Sequence, residues 1–314
     1  MATATQRIPR AAQADDPYRS RTNTAPEIVN RLDPVVHRDA GIDGPLTDEE
    51  IDRYDRAGFL ELTDVFTETE LAALHTEMHY LRAEHDQIAP DTLILEPGGR
   101  ELRSIFQIHA QSTLFGYLAR DHRLLAVARQ LLGDDVYMHQ SRLNYKPGFF
   151  GREFYWHSDF ETWHIEDGMP RMRALSVSIS LVPNTHFNGP LMLMPGSHRK
   201  YVRCVGETPR DHYKHSLRKQ EYGVPDPQSL AQLYAQGGIA TPIGPAGSVV
   251  VFDCNTMHGS NGNISPLPRS NVFLVYNAVG NRLVAPFGGQ PPRPEYIASR
   301  RECTALQPRT DPLN

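Results

Sequence analysis

Residues 173–182 read RALSVSISLV. Leu175, Val177, Ile179 and Leu181 alternate with Ala174, Ser176, Ser178 and Ser180. A period of two sends successive side chains to opposite faces, so the segment predicts a strand. One face is apolar and the other small and polar, which predicts half-burial, with the serine face lining a solvent-filled pocket. Downstream, Leu191–Met194 stops at Pro195-Gly196, and Gly247–Asp253 (GSVVVFD) and Asn271–Val279 predict two more strands. Residues 136–146 predict a strand upstream. Before that the character is helical. Thr47 with Glu50 and Thr67 with Glu70 are capping boxes, and Gly58 is a stop. Leu71, Leu74, Met78 and Leu81 line the second helix, and Leu124, Leu125, Ala128 and Leu131 a third from Asp121 to Gly133. There is no βαβ alternation and no GxGxxG. Short strands after a helical half predict an α+β chain with a mainly β core, a sandwich or jelly roll flanked by N-terminal helices.

Composition narrows the class. The chain has 314 residues, 39% hydrophobic and 22% charged, which favours a globular protein over a disordered one. A net charge of −5 argues against a nucleic-acid binder. No apolar run approaches the roughly 20 residues of a membrane span, and the N-terminus lacks the apolar core of a secretory signal. Three unpaired-looking cysteines, Cys204, Cys254 and Cys303, predict a cytoplasmic protein without a disulfide framework. Residues 1–40 are expected to be an extended or poorly ordered arm, 41–285 a single domain, and 286–314 a Pro-rich tail wrapping the surface.

The densest polar segment is YWHSDFETWH (155–164). His157 and Asp159 are two apart, so an extended backbone points both the same way. A third ligand must come from elsewhere, and His258, just after GSVVVFD, is the best candidate. Two histidines and a carboxylate form the facial triad of non-haem Fe(II) oxygenases, which leaves one side of the metal open. A structural zinc site would close with four protein ligands. Arg269 lies beside the strand from Asn271, and its planar fork suits the far carboxylate of an organic-acid cosubstrate. That order of residues points to a 2-oxoglutarate oxygenase.

The segments WHSDFETWHIEDGMPRMRALS (156–176), NGPLMLMPGSH (188–198), HQSRLNYKPGF (139–149) and FDCNTMHGSNGN (252–263) carry a closer likeness. The sequence resembles the ectoine hydroxylases, within the phytanoyl-CoA-dioxygenase-like Fe(II)/2-oxoglutarate oxygenases. The resemblance implies a double-stranded β-helix (jelly roll, cupin-like) core. It also implies hydroxylation of the compatible solute ectoine to 5-hydroxyectoine, an osmotic-stress function, with O₂ consumed and succinate and CO₂ released. His157, Asp159 and His258 match the iron ligands, Arg269 and Lys146 the residues that bind 2-oxoglutarate. Gln140 matches an ectoine-binding glutamine, and Trp163 an aromatic that steadies ectoine. No nucleic acid or membrane is implied, and a homodimer is a compatible assembly.

Blander alternatives stand beside each residue. His164 and His198 could serve a rival ligand scheme but are better read as orienting neighbours or rimming the pocket. Arg269 could make a surface salt bridge, Lys146 could be a solvated strand-end lysine, Gln140, alternating with Met138 and Arg142, an edge residue with a polar duty, and Trp163 core. Cys254 reads as an unreactive buried strand residue. A hydrolase or isomerase using another divalent metal would leave Arg269 without a reason. A non-catalytic sensor would predict a defective triad. A halogenase would lack Asp159. Hydroxylation of another small amino acid such as proline is the runner-up, because the triad alone does not separate such substrates.

Overall fold

The computed structural model describes residues 16–22, 25–96, 98–99, 101–217 and 221–314, with only the backbone of Asp39. The first fifteen residues of the expected arm lie outside the described residues. Twelve strands are present among the described residues: β1 Glu27–Asn30, β2 Phe59–Leu62, β3 Leu93–Leu95, β4 Leu102–Phe106, β5 Val136–Lys146, β6 Phe154–His157, β7 Ala174–Ser180, β8 Leu191–Leu193, β9 Lys200–Arg203, β10 Val249–Asp253, β11 His258–Ser260 and β12 Arg269–Ala278. The longer helices are α1 Asp48–Ala57, α2 Glu68–Ala83, α3 His122–Leu132 and α4 Pro227–Gly237. Both predicted capping boxes are formed, each Thr hydroxyl accepting from its Glu amide while the Glu carboxylate accepts from the Thr amide. α3 ends on Gly133 in the left-handed region.

Seven strands form one sheet in the order β2-β10-β7-β12-β5-β4-β3, every pair antiparallel. A smaller antiparallel sheet, β6-β11-β8, lies over it. Alternation along each strand builds two layers of core. Val249 and Val251 of β10 and Val272, Leu274 and Tyr276 of β12 face the helices, where they join Leu74, Met78, Leu125 and Leu131. Val250, Phe252 and Phe273 face the other way and meet Leu191 and Leu193 of β8. This is the jelly-roll arrangement the sequence predicts.

Three expectations change in detail. β7 is buried on both faces, not one. Its serines face the interior between the sheets, where Ser178 and Ser180 accept from the Asn271 side chain and Ser176 donates to Asp159. A small polar face can be buried when each hydroxyl finds a partner. The second change concerns β5. The register on β12 slips between Val275, opposite Gln140, and Tyr276, opposite Met138. His139 is therefore the extra residue of a β-bulge. Met138 faces the helical core with Leu143 and Tyr145. Gln140, Arg142, Asn144 and Lys146 face the interior, so Met138 and Gln140 do not share a face.

The third change is at the two ends. Residues 16–40 are extended yet anchored, for β1 pairs with β9 and Tyr18 is fully buried. The Arg31 guanidinium donates to Asp253 at 2.7 Å and to the carbonyls of Met172, Pro34 and Asp33. The tail does more than wrap the surface. β4 pairs with only Arg142–Asn144 of β5, which would leave the start of β5 as a bare edge. The amides of Ser299 and Leu306 donate to His139 and Val136 there, and Ile297, Ala298 and Leu313 are buried.

Arg31→Ala should strand the Asp253 carboxylate, whose side chain is only 2% exposed. Losing one partner of a buried pair costs about 3–5 kcal/mol. Urea unfolding should register that loss, and a change under about 1 kcal/mol would show that the arm is not held this way.

Candidate metal centre and its pocket

β6 and β11 are antiparallel neighbours in which His157 stands opposite His258. Their rings lie 4.3 Å apart between centroids. Asp159 follows β6 by two residues and opens a short helical turn, Asp159–Thr162. Its Oδ1 is 3.8 Å from His157 Nε2 and its Oδ2 3.8 Å from His258 Nε2. One donor atom from each residue lies within 4.8 Å of the others, the only such cluster of three or more His, Cys, Asp or Glu among the described residues.

The second ring nitrogens fix the tautomer. His157 Nδ1 lies 2.6 Å from the Tyr155 carbonyl and His258 Nδ1 2.9 Å from the Thr256 carbonyl. A carbonyl only accepts, so each Nδ1 carries the proton and each Nε2 lone pair is free for a metal. Burial, and then the neighbouring His258, hold the His157 pKa down to about 4. Both traits are what a metal-binding imidazole needs. With no fourth protein ligand among the described residues, the donor set fits Fe(II) with an open side better than a closed zinc site.

Two buried cations adjoin the cluster. Arg269 and Lys146 are opposite residues of β12 and β5, 3% and 2% exposed. Lys146 Nζ donates to Ser260 Oγ at 2.7 Å and to the Asn261 carbonyl at 2.5 Å. Ser260 lies two residues after His258 on β11, so it points the same way. Arg269 Nη1 donates to the Gly189 carbonyl at 2.6 Å. Burial, then the nearby Arg103, lowers the Arg269 pKa to about 10, and burial with Arg269 itself pushes Lys146 well below its ordinary value. Among the described residues no carboxylate pairs with either. Arg269 is thus no surface salt bridge and Lys146 no solvated lysine. Buried charges are kept where something pairs them, so this corner is chemically suited to an anion.

The pocket beside the cluster is lined by Gln140, Arg142, His157, Asp159, Trp163 and Arg293, among others. Trp163, 3% exposed, starts a π-helical turn, Trp163–Asp167, and packs with Phe160, Met172 and Val275 behind the pocket. It is core and wall at once. Gln140 Nε2 donates to the Ile297 carbonyl at 2.8 Å, and its Oε1 accepts from Arg142 at 3.0 Å. One donor and one acceptor of that amide stay free. His164 and His198 stand apart, the first against Asp16 at 3.0 Å and the second against the Asp55 carbonyl at 2.9 Å. Cys254 is fully buried and burial raises its thiol pKa. A larger cavity, about 760 Å³, opens among Phe149, Phe150, Glu153 and Ile264, and none of these site residues lines it.

Two pocket residues go beyond the sequence reading. Arg142 lies 4.9 Å from the Phe273 ring centre and is half-buried, with its Nε closed to solvent. Its signal was present, because polar residues recur at 140, 142, 144 and 146 of one strand. Arg293 comes from the tail, where Asp167 holds it at 2.8 and 2.5 Å. Nothing in a Pro-rich stretch marks one arginine as a pocket residue.

Residues 54–271 match the phytanoyl-CoA dioxygenase (PhyH) family. The ectoine dioxygenase of Sphingopyxis alaskensis is 58% identical over 298 residues, 95% of this chain and 97% of its own length. That of Halomonas elongata is 51% identical, over 92% of this chain and 87% of its own. The crystal structure of EctD from S. alaskensis with 2-oxoglutarate and 5-hydroxyectoine superposes with a TM-score of 0.88, covering 96% of this chain and all of that one at 53% identity. A second crystal structure of that protein, with bound Fe, superposes at 0.86 over the same shares of both chains, at 52% identity. The chain therefore belongs to the phytanoyl-CoA dioxygenase family and, within it, to the ectoine dioxygenases.

Proposed function

We propose that this chain hydroxylates ectoine to 5-hydroxyectoine, using Fe(II), 2-oxoglutarate and O₂ and releasing succinate and CO₂. The observation that carries the reading is the pairing of an open His–Asp–His cluster with two buried, carboxylate-free cations on the adjoining strands. Relatives at 51–58% identity over nearly the whole chain bear the same activity in their names, which supports ectoine over another small amino acid.

In this reading His157, Asp159 and His258 hold the iron from one side. The bound metal with 2-oxoglutarate and O₂ supplies the oxidant that replaces a C–H bond by C–OH. Arg269 and Lys146 hold the distal carboxylate of 2-oxoglutarate, Arg269 through its planar fork and Lys146 as a point charge. Trp163 gives the flat ectoine amidinium an aromatic wall. Gln140, already fixed by Ile297 and Arg142, offers its remaining donor and acceptor to the substrate. The packed walls keep water from the reacting carbon. Three buried free thiols, Cys204, Cys254 and Cys303, suit the reducing cytoplasm proposed for the protein.

Replacing His157, Asp159 or His258 by Ala should abolish hydroxyectoine formation and iron retention after gel filtration. An Ala variant that keeps both would remove that residue from the ligand set. Arg269→Ala should raise the 2-oxoglutarate KM about thirtyfold or more, the equivalent of at least 2 kcal/mol for a buried charge pair losing one partner. The ectoine KM should move far less, and an unchanged 2-oxoglutarate KM would shift the anchor to Lys146. Trp163→Ala and Gln140→Ala should keep iron and 2-oxoglutarate but make succinate without matching hydroxyectoine, because a small misplacement costs on the order of a hundredfold in rate. Assaying succinate and hydroxyectoine together is the check, and tightly coupled turnover in both variants would assign the substrate to other residues.

A further inference from the structure

His139 has no part in the scheme above, yet it is among the most constrained residues of the molecule. It is the extra residue of the β5 bulge, directly before Gln140. It is 1% exposed, and neither ring nitrogen has a hydrogen-bond partner among the described residues. Asp167 Oδ2 lies 3.8 Å from its Nε2, beyond hydrogen-bond reach, and that carboxylate is already taken by Arg293. Burial, then Arg293, lowers its pKa to about 3, so the ring is a neutral, apolar-like body. What it touches is Trp163: the rings meet edge to face at 5.0 Å and 69°. An unpaired imidazole is costly to bury. A bulge that aims one at an aromatic pocket wall is a device for placing a side chain.

We propose that His139 is a positioning residue whose ring fixes the orientation of the Trp163 indole, and so the pose of the substrate against the iron. This rests on the ectoine reading of the same pocket. The bulge has two effects at once. It turns Gln140, Arg142, Asn144 and Lys146 toward the site, and it leaves His139 behind Trp163 to brace it. A neutral ring does this without placing a third positive charge beside Arg142 and Arg293.

The test compares His139→Phe, which keeps a ring, with His139→Leu, which keeps similar bulk without one. Hydroxyectoine formed per succinate should stay within about twofold of the parent in the Phe variant. It should fall at least fivefold in the Leu variant, with the 2-oxoglutarate KM unchanged. Trp156 and Trp163 are the only tryptophans. In a Trp156→Phe background, the near-ultraviolet circular dichroism of Trp163 should persist with Phe and weaken with Leu. Parent-like coupling and dichroism in the Leu variant overturn the proposal. Equal failure of both variants, in coupling or in folding, overturns it too, because His139 would then hold the strand and not the indole. A parent enzyme that forms succinate but no hydroxyectoine would instead defeat the ectoine reading, while the dichroism comparison still decides the ring contact.

Discussion

The site depends on one short antiparallel pairing. β11 is only three residues long, and its register sets His258 against His157 and Gly259 against Met192. A Cβ at Gly259 would sit 2.9 Å from the Phe154 carbonyl, so the strand can approach β6 only with glycine there. Once those two strands close, both imidazoles lean to the same side, and the turn after β6 brings Asp159 beneath them. A slip of one residue would send His258 to the opposite face and dissolve the cluster. The two carbonyl-bound Nδ1 atoms then lock the rings, so the ligand geometry is set by backbone and not by flexible side-chain choice.

Around this pairing the interior holds far more charge than a hydrophobic core tolerates unaided. Most of that charge is arranged in closed groups. Arg21 bonds Glu161 and Glu166, and Glu166 also meets His212 at 3.0 Å. Arg293 pairs with Asp167, and Arg31 with Asp253. Each group joins a segment outside the two sheets to the body of the fold. Burying a matched pair gains little net stability, but losing one half is expensive. The ion pairs therefore act less as glue than as a constraint: the arm and the tail have one acceptable place. Arg269 and Lys146 are the exceptions, with no carboxylate paired to either among the described residues.

The parts of this architecture visible in the sequence are those encoded locally. The capping boxes at Thr47 and Thr67 are formed as read, and the αL glycine stops at Gly58 and Gly133 end their helices. Long strands such as β5 and β12 are evident from composition and alternation. The His–Asp–His cluster was legible because two of its members sit two residues apart and the third follows a strand signal. What escaped is non-local. Strands of three residues, such as β3 and β11, carry too few positions for a period. The β5 bulge is a property of its pairing with β12, so no pattern within β5 distinguishes Met138 from Gln140 in facing. β7 looked half-exposed because serine is usually solvated, and only the packing of Asp159 and Asn271 against it shows otherwise. The buried roles of Arg31 and Arg293 depend on partners more than a hundred residues away.

The threading of the tail along β5 has a consequence for how the molecule is made. The pocket joins Ser104, Gln140, Asp159, Trp163, His212 and Arg293, so its lining is drawn from well-separated parts of the chain. Synthesis runs at about 5–20 residues per second, and upstream segments fold as they emerge. β5 leaves the ribosome some 150 residues before Ser299 and Leu306 arrive to cover its exposed edge. During that interval, on the order of 10 seconds, the nascent chain presents an open strand end and a pocket with one wall missing. The emerging polypeptide is then most prone to pair with another chain. Synonymous changes that slow translation between residues 260 and 300 would lengthen that window without altering a single side chain.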